Sequence, residues 1–253
     1  MTIPRLSVIG VTGIPEVQPG DDLAAMTFQA ALAQGTPLEQ GDVLVFTQKI
    51  VSKAEGALVD LRTVEPSAMA LEFARLYEKD ARLVEVVLRE TRRVVRMERG
   101  VLIVETKHGF ICANAGVDVS NVPGDEIVSL LPRDPDDSAR RLRSSLTAAT
   151  GVPLAVIVSD TFGRPWRMGN TDVAIGVAGM HPMRDYRGET DPYGYELRVS
   201  VSAVADEIAS AAELTLGKLS MVPVAIVRGC EYVADDEADS ALLLRPANQD
   251  LFR

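Results

Sequence analysis

The chain has 253 residues, 47% of them hydrophobic, enough to bury a core in one large domain or two small ones. Its 36 acidic and 26 basic residues leave a net charge of −10, which opposes broad contact with nucleic-acid backbones or anionic membranes. No apolar run approaches the roughly 20 residues that cross a bilayer, and the amino terminus has no leader-like pattern, so a cytoplasmic protein with neither a nucleic-acid nor a membrane partner is expected.

Short strands and amphipathic helices interleave. A strand over Leu6 to Val11 leads through a turn at Gly13 to Pro15 into a helix from the N-cap Asp22 to Gln34. Val43 to Phe46 reads as a buried strand, and Met69, Phe73 and Leu76, then Leu83, Val84, Val87 and Leu88, recur at helical spacing. Val101 to Glu105 and Phe110 to Ala113 flank a turn at His108 and Gly109, which predicts a hairpin. Pro132 to Asp137 reads as a linker, and the helix carrying Leu142, Leu146 and Ala149 stops at Gly151. Leu154 to Val158 is a strand ending at the polar segment SDTFGRPWR. Glu196 to Leu216 predicts the longest helix, closed by Gly217, and Val222 to Val227 a last strand. Without regular βαβ spacing, the pattern predicts an α+β fold of mixed and antiparallel sheets with packed helices. The chain is taken as one module, residues 1–253, with any subdomain boundary near 132–137. Neither a Walker phosphate loop nor a Rossmann glycine fingerprint occurs in it.

Ser159 to Arg167 has the makings of a reaction site. Asp160 falls where the strand leaves the core, followed by the Thr161 hydroxyl, a bend at Gly163, and Arg164 and Arg167 around the single tryptophan, Trp166. Hard divalent cations take oxygen ligands and guanidinium matches phosphate oxygens, so the set suits a metal-bound phosphate; the bland reading is a polar turn with a surface Arg–Trp stack. In NAGVDVSN, Asp118 and Asn121 form either a second metal-binding loop or an ordinary Asx turn. Lys49 and Lys53 share a face if helical, and either a phosphate lies between them or both reach water. Gly217 and Lys218 offer a free carbonyl and a charge to a ligand, or simply a helix cap. Asp206 and Glu207 read as a solvated helix face, and Cys112 and Cys230 as small hydrophobes without a disulfide or metal role. Of the two histidines, His181 has no identifiable partner, and neither it nor His108 accompanies a nucleophile-elbow sequence.

In order, GIPEV, QKIVSKAEG, NAGVDVSN, SDTFGRPWR, GNTDVAIGVAG, DPYGYEL, VADEIASAAEL and GKLSMVPVAIVRG resemble the GTP-dependent gamma-glutamyl ligases of deazaflavin coenzyme (F-420) biosynthesis, from about Leu6 to Gly229. The resemblance implies that L-glutamate is joined to the F-420-0 precursor and further glutamates are added through gamma linkages, with GTP giving an acyl phosphate and then GDP and phosphate. It implies Mg²⁺ or Mn²⁺ on Asp118, Asp160, Thr161 and the Gly217 backbone, a K⁺ ion, and GTP contacts at Ile14, Pro15, Glu16, Val17, Gln48, Lys49, Lys53 and Asn121. Further GTP contacts fall on Thr215, Leu216, Gly217, Lys218, Leu219, Ser220 and Met221, and an intertwined homodimer is implied. Asp118 and Asp160, with Arg164 and Arg167 as added phosphate or carboxylate partners, are the candidate catalytic residues. Some bacterial relatives carry a fused flavin-binding domain; this chain stops at Arg253, so that activity is not expected. Two other functions compete: a related amide ligase or nucleotide hydrolase acting on another small carboxylate, and a dimeric nucleotide-binding protein without catalysis.

Overall fold

The computed structural model describes residues 3–119, 124 and 126–251. Strand β1 (Ser7–Val11) is followed by helix α1 (Leu23–Ala33), whose N-cap Asp22 accepts the Ala25 amide at 3.0 Å as its sequence position predicts. Strand β2 (Val43–Thr47) runs directly into the short helix α2 (Gln48–Ala54). The chain then leaves the centre of the molecule through β3 (Leu58–Asp60), α3 (Ala68–Tyr77), α4 (Ala81–Arg89), β4 (Thr91–Glu98), β5 (Val101–Thr106), β6 (Ile111–Ala113) and β7 (Ile127–Ser129). It returns with α5 (Pro135–Thr150), β8 (Ala155–Arg164) and β9 (Arg167–Ala178). The paired β10 (Arg184–Asp185) and β11 (Val201–Ser202), helix α6 (Val204–Leu216) and β12 (Val224–Arg228) complete it.

The central sheet has the order β1-β12-β2-β8-β9, with β2 and β8 parallel and every other neighbour antiparallel. Its strands are apolar on both faces because both are covered. Leu44, Phe46, Val156 and Val158 pack against α1 and α5, and Val43, Val45, Ala155 and Ile157 pack against the alanine-rich face of α6. Smaller sheets, β4-β5-β6 and β3-β7, sit on two separate clusters built around Phe73, Val87, Leu102 and Val104 and around Leu61, Val86 and Val128. The architecture is the expected α+β class, and the β5-β6 hairpin forms where its turn residues place it.

Four expectations need correction. The segment Pro132 to Asp137 is not all linker, because Asp134 caps α5 through the Asp137 amide and Pro135 occupies the first turn, where its missing N–H costs nothing. Glu196 does not begin a helix. The Asp191 carboxylate takes the Tyr193 and Tyr195 amides, and Leu197 and Ser200 pair with Glu189 and Tyr186, so α6 starts at Val204 and α5 is the longer helix. The strand begun at Leu154 does not stop at Val158: β8 continues to Arg164, paired with β9 from Val156↔Ala178 to Arg164↔Arg167. Only burial ends there, with Ser159 in the core and Asp160 partly buried. Finally, Asp206 is not solvated, since its carboxylate accepts the Ala174 amide at 2.9 Å and burial raises its pKa.

Candidate active site

Strand β2 ends at Thr47, opposite Ser159 of the parallel strand β8, and the carboxyl-terminal side of such a pair is where open sheets hold ligands. Helix α2 begins at once after β2. Its four-residue spacing puts Lys49 and Lys53 on one face, and each meets a carboxylate: Lys49 Nζ donates to Asp118 Oδ2 at 2.5 Å and Lys53 Nζ to Glu16 Oε1 at 2.5 Å. Lys53 is only 5% exposed. Asp118 is itself pinned, its backbone exchanging hydrogen bonds with Ser129 at the end of β7.

Asp160 lies one residue past the core. Burial, with the carboxylates of Asp172 and Asp118 adding to it, pushes its pKa up to about 7, against the Thr161 amide and Lys49, which pull it down. Asp118 and Asp160 therefore lie close enough to feel each other's charge, with Lys49 acting on both.

Alternation along β8 divides the candidates between two faces of the β8-β9 ribbon. Asp160 shares a face with Phe162, which packs on the core beneath α1 and α5. Ser159 and Thr161 share the other face with Asp172, the residue paired opposite Thr161. On that face Thr161 Oγ1 donates to Asp172 Oδ1 at 2.7 Å, Ser159 Oγ donates to Asp172 Oδ2 at 3.1 Å, and Lys218 Nζ donates to Thr161 Oγ1 at 2.6 Å. Lys218 follows Gly217, whose backbone (φ 58°, ψ −177°) ends α6 and turns the chain toward the ribbon.

Each oxygen set thus carries a lysine ammonium, Lys49 on Asp118 and Lys218 on Thr161 and Asp172. These are hard oxygen donors with surplus negative charge, which fit a divalent cation that takes one or two carboxylates and completes its shell with phosphate oxygens and water. Among the described residues no three His, Cys, Asp or Glu side chains form a metal-ligating group.

The remaining candidates are more dispersed. Gln48 is buried and accepts from Ser52 Oγ at 2.8 Å. In GIPEV, Ile14 and Val17 pack on the core and Pro15 is exposed. Leu216 is buried under the sheet, Thr215 bonds the Ala212 carbonyl at 3.0 Å and Ser220 bonds the Leu216 carbonyl, while Leu219 and Met221 are exposed. Asn121 lies outside the described residues. Arg164 and Arg167 face each other at the exposed tip of the hairpin, roughly 13 Å along the strand from Asp160. Arg164 folds back onto the Met168 carbonyl at 2.7 Å, so this chain does not bring either arginine to its own carboxylates.

Asp172 is the site residue that the motif reading does not single out. It is 3% exposed, and its signal is an acidic residue inside an otherwise β-prone run, TDVAIGVA, that pairs with SDTFGR. Cys112 and Cys230 are free thiols with raised pKa values, Cys112 pushed by burial to about 12, which agrees with their reading as inert hydrophobes. His181 bonds the Met183 carbonyl at 2.7 Å. A separate cavity of about 700 Å³, lined by Gly41, Pro153, His181, Tyr186 and Tyr232, opens at the far end of β2 and β8 and includes none of the candidate residues.

A mixed sheet whose parallel strand ends gather carboxylates, a hydroxyl and lysines has the makings of an enzyme for charged small molecules. Residues 12–229 match the family described as F420-0:Gamma-glutamyl ligase, and the chain belongs to that family, an enzyme of the ligase class. It is 45% identical over 251 residues to a protein of Methanothermobacter thermautotrophicus named coenzyme F420:L-glutamate ligase, covering 98% of this chain and 99% of that one. Proteins of the same name from Methanopyrus kandleri and Methanocaldococcus jannaschii are 42% identical over 255 residues and 40% over 218, covering 99% and 86% of each chain respectively. Among the described residues no helix is long and apolar enough to cross a membrane.

Proposed function

We propose that this protein adds L-glutamate to the F-420-0 precursor and extends the gamma-linked tail, driven by GTP. An oxygen of the precursor's terminal carboxylate attacks the γ-phosphorus, the bond to GDP breaks, and an acyl phosphate forms. The glutamate amine, having lost its proton, then attacks the acyl carbon and phosphate leaves with the bonding pair. The gathering of Asp118, Asp160, Thr161 and three lysines around the β8-β9 ribbon and α2 supports this reading, because phosphoryl transfer asks chiefly for positioning and charge compensation. No protein nucleophile is required.

Lys49, Lys53 and Lys218 neutralise phosphate oxygens as charge migrates. Asp118, Asp160, Thr161 and the Gly217 carbonyl would hold Mg²⁺ or Mn²⁺, which would supply positive charge to offset that of the phosphates. Gln48, Asn121 and the GIPEV and Thr215 to Met221 segments enclose the nucleotide, K⁺ supports it, and Arg164 and Arg167 serve phosphate or substrate carboxylate. A homodimer belongs to the same proposal. Met168 (94% exposed), Tyr193 (96%) and Val199 (88%) are apolar surface on two projecting segments, which a second copy would cover and which would bring the hairpin arginines near a neighbouring site.

Incubation with GTP, glutamate, Mg²⁺ and F-420-0, followed by product mass analysis, tests the reading. A ladder of glutamate additions with matching GDP is expected, and Asp160→Asn abolishes it without unfolding the protein. GDP without mass gain would point to a hydrolase, GTP binding without GDP to a non-catalytic protein, and near-normal turnover of the variant would remove Asp160 from the metal site.

A further inference from the structure

We infer that Asp172 is a positioning residue that fixes the Thr161 hydroxyl and the Lys218 ammonium for the nucleotide phosphates. The inference rests on the phosphoryl-transfer reading and extends it to a residue that touches neither metal nor substrate.

A threonine hydroxyl has one proton and two lone pairs, and where the proton points decides what the oxygen can hold. Asp172 accepts only, and its Oδ1 is 2.7 Å from Thr161 Oγ1, so the proton is committed there. Lys218 donates only, and its Nζ at 2.6 Å takes one lone pair. The second lone pair is left for a hard cation or another donor. With the Asp172 acceptor removed, the hydroxyl is free to turn its proton toward the site, where it repels a cation. The same Oδ1 lies 3.6 Å from Lys218 Nζ, while Glu213 Oε1 attracts that ammonium from the other side at 3.5 Å. Asp172 thereby limits where the Lys218 charge sits.

Asp172 is held firmly enough to do this. Its other carboxylate oxygen takes the Ser159 hydroxyl at 3.1 Å, and its backbone carbonyl accepts Ser210 Oγ from α6 at 2.8 Å. Two positions along β9, the Ala174 amide is bound by Asp206 of the same helix at 2.9 Å. Strand and helix are thus tied together at Asp172 and again two residues on, and the rigid partner of a ligating group is what an outer-shell residue supplies.

The test combines Asp172→Ala, Asp172→Asn, Thr161→Ala and the double variant Asp172→Ala/Thr161→Ala. Mn²⁺ binding is followed by electron paramagnetic resonance without nucleotide, Mg²⁺ dependence by turnover, and folding by thermal unfolding. D172A should weaken Mn²⁺ binding and raise the half-saturating Mg²⁺ about 10- to 100-fold. In the T161A background the same change should cost less than about threefold more, because its effect runs through the hydroxyl. D172N, whose amide oxygen still accepts from Thr161, should lose less than D172A, and it carries the test if D172A fails to fold. Wild-type Mn²⁺ binding in a folded D172A, equal losses in both backgrounds, or a larger loss in D172N would overturn the inference. Wild-type protein that neither binds Mn²⁺ nor forms GDP would instead overturn the underlying phosphoryl-transfer reading.

Discussion

Asp160 gives the protein a pH dependence whose sign is unusual for a carboxylate. Its pKa stands at about 7 against an ordinary 3.8, so between those values the folded protein keeps a proton that the unfolded chain has lost. Folding takes up a proton in that window, and stability falls as pH rises through it and then levels off above about 7. The whole difference corresponds to about 4 kcal/mol at 1.36 kcal/mol per pH unit, about two thirds of it falls above pH 5, and partial exposure of the side chain reduces the expected loss there to about 1 kcal/mol. Urea unfolding without divalent metal, from about pH 5 to about pH 8, measures it, with Asp160→Asn as the reference that cannot titrate. Wild type should lose about 1 kcal/mol relative to the variant as pH rises, and the Asn protein should be the more stable at the top of the range. The half-buried Asp60 and the exposed Asp185, held low by Arg62 and Arg187, lose their contribution only as pH falls through the acid range below 3.8, so they leave this window flat. Apparent Mg²⁺ affinity should fall about tenfold per unit below pH 7, because the ion displaces the same proton. Parallel curves for the two proteins would refute the account.

Lys53→Met should leave stability within about 1 kcal/mol, since the Glu16 carboxylate it leaves behind is half exposed and water solvates it, while fluorescence anisotropy of labelled GTP should show binding lost; retained binding would remove Lys53 from the nucleotide site. Arg228→Met should cost about 3 kcal/mol, because the Asp42 carboxylate, with no solvent exposure and two guanidinium contacts at 2.8 Å, is left buried without its cation. Thermal unfolding should then show a Tm lower by roughly 6–12 °C, and an unchanged Tm would contradict that burial cost.

What the sequence reveals follows the range of the forces involved. The Asp22 cap, the apolar runs of β2 and β8 and the glycine-ended helices are legible because each is decided within a few neighbouring residues. Strand β4 is not, for its TRRVVRME run carries arginines on an exposed edge and gains its identity from β5, to which it pairs through two irregularities. The start of α6 is misplaced because Val201 fits a helical period while Asp191 organises the preceding backbone into turns. In the site, residue chemistry marks Asp118, Asp160 and Thr161, but their partners lie far along the chain, Lys49 being 69 positions from Asp118 and Lys218 57 from Thr161. The arrangement on two faces also depends on the unbroken pairing of β8 with β9, and a reading that ends the strand at Val158 cannot see it. Once the turn is placed at Pro165 and Trp166, Thr161 and Asp172 come opposite each other, and alternation sends Asp160 to the other face. One continuous hairpin therefore serves both halves of the site, so a change that shifts its register by a single residue should disturb the Asp160 and Thr161 sides together, whereas loss of either side chain disturbs its own half first.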